Sequence, residues 1–154
     1  MGFLRSTDAI SAKEARAYAT IDGRVIDMFY AKNLEGTIDK DKVEFKALGT
    51  RATQHRAIGW SGSGSMTIYY VTSEFRKMVL QYVKTGRDVY FDIQCINDDP
   101  ASTIGKQTTV LKRVNLDGVT MASFDVDGEI LEEDIEFTFE DADLLDEFGM
   151  PVLA

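Results

Sequence analysis

Glu133-Asp134-Ile135-Glu136-Phe137-Thr138-Phe139-Glu140 carries an apolar residue at every second position from Ile135, with acidic or hydroxyl residues between. A period of two puts Ile135, Phe137 and Phe139 on one face of an extended chain and Glu136, Thr138 and Glu140 on the other. That is a strand with one face in a core and one in water, the mark of an antiparallel sheet. Upstream, Asp127-Gly128 and Asp117-Gly118 read as tight turns, with a short strand over 119–124 between them and another over 107–116 before them. Asn97-Asp98-Asp99-Pro100 is a further turn, and the stretch 89–96 before it alternates, with Val89, Phe91, Ile93 and Cys95 on one side.

The period changes over 73–84. Phe75, Met78, Val79, Tyr82 and Val83 fall at i, i+3, i+4, i+7 and i+8 and form one stripe of an amphipathic helix. Thr72 or Ser73 caps its start, Glu74 complements the dipole in the first turn, and Lys84 with Gly86 ends it. Before the helix, 59–72 reads as a strand that begins in alternating glycine and serine and ends in β-branched and aromatic residues. The stretch 15–38 reads as two antiparallel strands joined at Asp22-Gly23. Between these lies 39–58, rich in Lys, Arg, Thr and Gln and without a period of 2 or 3.6, which predicts a long loop of the kind that tends to be functional. The fold class is α+β, mostly antiparallel, with one helix in a single domain spanning 1–154, and an acidic strand and tail over 129–154.

A chain of 154 residues, 44% of them hydrophobic, supports one real core. The single Cys95 offers no internal disulfide, the N-terminus lacks an export-signal core, and no apolar run approaches a membrane span, so a soluble subunit made inside a cell, without a membrane anchor, is expected. Net charge is −9, distributed unevenly: residues 1–113 hold 17 basic and 13 acidic side chains, residues 114–154 hold 13 acidic and none basic. Unlike surfaces of this kind suit head-to-tail contact between identical copies; the plainer reading is a solvated acidic edge.

Catalytic readings fare poorly. His55 stands in the long polar stretch without a second His or a Cys beside it, and a surface histidine is the simpler account. Cys95 lies on the apolar side of its strand as a small hydrophobe. Gly59, Gly62 and Gly64 lead into a strand, whereas phosphate loops need a helix. Asp125, Asp127 and Glu129 resemble part of a calcium loop but lack the remaining spaced ligands. No catalytic, cofactor or metal residues are assigned. Two other classes remain open: a soluble β-barrel module that binds a small ligand, and a hydrolase with a carboxylate pair, for which no cleft is visible in the sequence.

The order of short signatures is similar to the tail tube proteins of the PBSX-like phage family, with their XkdM-type core tail protein fold. The resemblance runs from Ile10-Ser11-Ala12-Lys13-Glu14-Ala15-Arg16 through Gly49-Thr50-Arg51, Thr53-Gln54-His55, Gly62-Ser63-Gly64, Tyr70-Val71-Thr72-Ser73-Glu74-Phe75, Tyr82-Val83-Lys84-Thr85-Gly86 and Tyr90-Phe91. It continues through Val114-Asn115, Asp117, Asp125-Val126-Asp127, Leu131-Glu132-Glu133 and Phe137-Thr138-Phe139-Glu140-Asp141, with Ala12 and Val89 where Gly and Pro are the family pattern.

The resemblance implies a barrel- or sandwich-like tail tube fold and a structural subunit with no cofactor. It implies hexameric rings stacked into a hollow tube inside a contractile sheath, in a virion tail or a phage-tail-like bacteriocin assembled in the host cytoplasm. The implied partners are further copies, the sheath, the baseplate and the tail terminator, with phage DNA passing through unbound where the particle carries DNA. On that footing Lys42, Lys46, Arg51, His55 and Arg56 in the long stretch are candidates for contact between subunits. Glu136, Glu140, Asp125, Asp127 and Glu129 are candidates for lining the bore, where an acidic wall would repel phosphates.

Overall fold

In the computed structural model, which describes residues 5–8, 15–28 and 31–150, a tight turn at Asp22 and Gly23, both at positive φ (52° and 79°), folds the chain back on itself. Two left-handed residues match the right-handed twist of the strands they join, β1 (Ala15–Ile21) and β2 (Arg24–Asp27). There follow β3 (Ala31–Phe45), β4 (Gln54–Tyr69), the helix α1 (Glu74–Thr85), β5 (Phe91–Asp98), β6 (Lys106–Leu116), β7 (Glu132–Phe139) and β8 (Asp141–Asp146).

Every pairing is antiparallel. One layer runs β2-β1-β5-β6-β8 and the other β3-β4-β7-β6, so β6 belongs to both. The layers meet in one core, in which Ala19, Ile21, Phe91, Ile93 and Leu111 of the first face Met66, Ile68, Ile135, Phe137 and Phe139 of the second. β7 follows the expected alternation at each residue: Glu133, Ile135, Phe137 and Phe139 point inward, and Glu132, Asp134, Glu136 and Thr138 outward.

The helix closes one opening of the sandwich. Phe75 lies 6.0 Å, ring centre to ring centre, from Phe91 of the first layer, and Met78 is also buried. Its start is held by Thr72 Oγ1, which accepts from the Glu74 N–H, and its end by Gly86 at φ 73°, whose N–H donates to the Tyr82 carbonyl. The apolar stripe is buried only in its first half, with Val79 half-buried and Tyr82 and Val83 exposed.

Three expectations are corrected. The stretch 39–58 is not a loop: β3 and β4 pair from Ala31/Ile68 to Phe45/Gln54, leaving only 46–53 as the tip of a long hairpin arm. Period two in a sequence records burial on one side, and residues 35–61 are exposed on both, so the arm is a strand pair without the usual signature. No strand forms over 119–124; residues 117–131 cross from β6 to β7 without regular structure. The acidic end is not all tail, because β8 pairs with β6 through a largely exposed, charge-bonded edge rather than a hydrophobic face.

Candidate assembly interface

The two layers are joined at one corner. Arg113 of β6 sits at φ 53°, unusual for a side chain larger than Asn, and there the strand leaves β8, makes its last pair with β5 at Val114 and turns to pair with β7 from Asn115. Its N–H donates to Asp92 Oδ1, its Nε donates to Glu140 Oε2 at 2.8 Å, and its guanidinium lies 4.1 Å over the Tyr90 ring. Glu140, where β7 gives way to β8, is therefore engaged by a cation at the corner and offers no free charge to a bore.

A second charged contact ties the helix to the sheet. Arg76 Nη1 donates to Glu133 Oε1 at 2.7 Å, its Nη2 donates to the Thr72 carbonyl, and the group stacks 4.0 Å over Tyr70. Glu133 is 1% exposed, and its Oε2 has no hydrogen-bond partner. Burial pushes its carboxyl above the usual glutamate range, against the opposing pull of Arg76 and of the Thr120 N–H.

Arg76→Met leaves that carboxylate buried without its cation, for an expected loss of about 3 kcal/mol at pH 7. A raised pKa in the folded state means the folded form takes up the proton first, so the loss should shrink as pH falls through the raised value. Denaturant unfolding at pH 7 and pH 5 checks this; an equal loss at both would show that Glu133 does not titrate as its burial requires.

The outer face of the second layer is uniform. Residues paired in an antiparallel ladder share a face, and the ladder aligns Glu35/Ser65/Glu136, Thr37/Ser63/Thr138 and Asp39/Ser61. On the opposite face Gly62 and Gly64 abut the rings of Phe139 and Phe137, which fixes that side as the core. The outer face is therefore mostly carboxylate and hydroxyl, with the amides of Asn33 and Asn115 in the same rows, and Asp117 completes a groove of about 350 Å³ along Glu35, Thr37, Ser63, Ser65 and Glu136. Lys32, at one end, is bonded to Glu132 at 3.1 Å. Of the lining candidates, Glu136 lies on this face; Asp125, Asp127 and Glu129 lie in the irregular segment 117–131, not on a neighbouring strand. Glu35, Asp39, Asp41 and Asp117 were missed. Their signal is the alternation Glu35-Gly36-Thr37-Ile38-Asp39-Lys40-Asp41, in phase with Ser61-Gly62-Ser63-Gly64-Ser65.

The contact candidates stand on the arm: Lys42 opposite Ala57, His55 opposite Glu44, Arg56 opposite Val43, and Lys46 and Arg51 in the tip. None of them forms an ion pair among the described residues, and no acidic residue occurs between Glu44 and Glu74. The charge division is partly spent inside the subunit: five of the seven ion pairs among the described residues join a cation up to Arg113 with an anion from Glu132 onward. What remains unlike is the basic arm against the segment 117–131.

Surface area points to association. The subunit exposes 10,844 Å², where a compact monomer of this mass exposes roughly 7,800 Å². The free edges of β2, β3 and β8 have no partner among the described residues. No group of three or more His, Cys, Asp and Glu among those residues is placed to hold a metal, and Cys95 is half-buried, its thiol pKa raised by burial.

Comparison with known proteins agrees with the geometry. Residues 2–146 match the family described as phage tail tube protein. The chain is 41% identical over 141 residues to the phage-like element PBSX protein XkdM of Bacillus subtilis (strain 168), covering 92% of this chain and 93% of that one. In fold it is similar to a chain in the baseplate of the anti-feeding prophage, with TM-score 0.68, 13% identity and coverage of 92% and 97%. It is also similar to a chain in the sheath–tube complex of the PVC extracellular contractile injection system, with TM-score 0.66, 15% identity and coverage of 94% and 93%. The mostly antiparallel fold is thus shared with these structures, and the chain belongs to the phage tail tube protein family.

Proposed function

We propose that six copies join edge to edge into a ring, that rings stack into a hollow tube inside a contractile sheath, and that the outer face of the β3-β4-β7 layer lines the bore. The observation that carries this reading is that face: carboxylates, small hydroxyls and amides, with the flanking Lys32 already neutralised by Glu132. Repeated six times, it gives rings of negative charge over a wall of short side chains. Such a wall attracts no phosphate and presents nothing long enough to snag a polymer. The open strand edges, a liability in a monomer, become the joints of the ring.

The basic residues of the arm, Lys42, Lys46, Arg51, His55 and Arg56, contact neighbouring copies. The sheath, the baseplate and a tube terminator are the outer and end partners, by analogy with the assemblies in which similar folds occur. The particle is a virion tail or a phage-tail-like bacteriocin, and the role is structural, without catalysis.

Cryo-electron microscopy of tubes grown from purified protein should place Glu35 and Glu136 on the lumen. In the same tubes, Glu35→Lys with Glu136→Lys should raise retention of a short DNA duplex at low salt at least about tenfold, with release as salt is added. Tubes whose bore is lined by another face would overturn the lining assignment.

A further inference from the structure

We infer that the Arg76–Glu133 pair is a latch for segment 117–131: it fixes the path of that segment, and the sandwich beneath is at least as stable with two apolar side chains in its place. The unusual residue is on β7. Its inward positions are Glu133, Ile135, Phe137 and Phe139, so a carboxylate stands where the alternation calls for a fourth hydrophobe. The pair is nearly dry, with Glu133 1% and Arg76 11% exposed. Withdrawing two such charges from water offsets much of their attraction, and well-packed apolar substitutes are often neutral or stabilising. Direction is what the ion pair adds, because the guanidinium fork is rigid and planar.

The contacts of the pair converge on both ends of one segment. Arg76 donates from Nη1 to Glu133 Oε1 and from Nη2 to the Thr72 carbonyl, and its flat face covers the Tyr70 ring at 4.0 Å, which holds that ring between helix and sheet. From there Tyr70 reaches the segment twice: its Oη donates to the Met121 carbonyl at 3.2 Å, and its N–H donates to the Leu131 carbonyl at 3.0 Å. Glu133 takes a third hold, through the Thr120 N–H that faces its carboxyl. Thr120 and Met121 stand at one end and Leu131 at the other. Between them the Asp127 N–H donates to Asp125 Oδ1, a bond that stays inside the segment. Phe124, Val126 and Ile130 are 87%, 77% and 70% exposed, so packing against the core does not set the path. A stretch with so few buried contacts opens readily unless its ends are held. The latch therefore displays these apolar side chains from one fixed position in place of a loose chain.

Limited chymotrypsin digestion of the full chain, followed at Phe124 by mass spectrometry beside a thermal melt, tests this. Arg76→Met with Glu133→Leu should melt within about 2 °C of the parent or above it. Cleavage after Phe124 should nevertheless rise at least about tenfold, because the segment must open before a protease can take it. Hydrogen exchange at the Tyr70 amide should rise alongside. Tyr70→Phe removes only the bond to Met121 and should raise cleavage several-fold by itself. Added to the apolar pair it should change almost nothing, since the ring it alters is no longer held; such non-additivity marks residues that act as one unit. Parental cleavage in the apolar-pair variant or in Tyr70→Phe, or additive effects of the two, would overturn the latch. An apolar-pair variant that melts well below the parent, or does not fold, would overturn it as well, by showing that the pair holds up the sandwich itself. These readouts use unassembled protein and leave the tube reading untouched.

Discussion

Replacing residues 41–59 with Asn-Gly, so that Lys40 and Trp60 flank a two-residue turn, should leave a protein that folds cooperatively and forms no tubes. Lys40 and Trp60 are directly opposed in the ladder, so the new turn closes a hairpin already in register. No residue of the removed arm belongs to the core cluster, and none makes an ion pair among the described residues. Trp60 is kept because its ring lies 6.3 Å from Phe139 and shields it. The stability cost should thus stay within about 1 kcal/mol, a few degrees in melting temperature for a chain of this size. Polymerisation should be lost, since the removed residues include all five contact candidates on the arm. Light scattering and electron microscopy read the outcome: long tubes from the shortened chain would show that the arm is dispensable.

Gly64→Val should have the opposite profile, an intact assembly surface on a sandwich that cannot close. A Cβ at position 64 would lie 2.5 Å from Phe137 Cζ and against the Glu35 carbonyl of the paired strand, and one at position 62 would lie 2.5 Å from Phe139 Cε2. Phe137 is fully buried and cannot swing away, and a backbone carbonyl in a ladder moves only with its strand. Overpacking of this kind ordinarily costs 1–3 kcal/mol, and with backbone as one of the obstacles the loss at position 64 should exceed about 3 kcal/mol, seen as insoluble expression or a melting point lowered by roughly 6–12 °C. Gly59→Ala is the control, because its Cβ would meet only Asp41 Oδ2 at 3.8 Å; its melting point should match the parent within about 2 °C. Equal losses at 59 and 64 would mean that strand propensity, not contact with the aromatic rings, governs these glycines.

Legibility followed burial. β7 was readable residue by residue because one of its faces is core and the other solvent, and the contrast between Phe137 and Glu136 states which is which. The turn at Asp22-Gly23 was readable because left-handed backbone leaves few residue choices. The arm was not, since neither Lys42 nor Arg56 nor their neighbours meet a core, and backbone pairing alone writes no period into the side chains. β8 was hidden for a related reason: it is held by ladder hydrogen bonds and by Lys106 and Lys112, so its aspartates resembled a solvated tail. The helix stripe misled in the other direction, as Tyr82 and Val83 continue an apolar pattern beyond the point where the sandwich ends beneath them.

Of the candidate assembly residues, Glu136 could be placed on its face from alternation alone. Glu35 and Asp39 required the pairing of β3 with β4, a relation between distant stretches that no single window contains. Glu140 reads as a continuation of that face, and only the corner, where Arg113 claims it, shows otherwise.

That corner also bears on how the subunit carries force. The backbone passes between the layers twice at one place, within β6 at Arg113 and between β7 and β8 at Glu140, and the two crossings are stitched by the Glu140 N–H to the Lys112 carbonyl and by the ion pair. Two sheets that met only through side chains could shear past one another under torque, as packed layers slide. Here a twist applied to one sheet reaches the other through covalent chain, so the wall of a tube made from such units resists torsion in the peptide bonds of its corners as well as in the packing of its core.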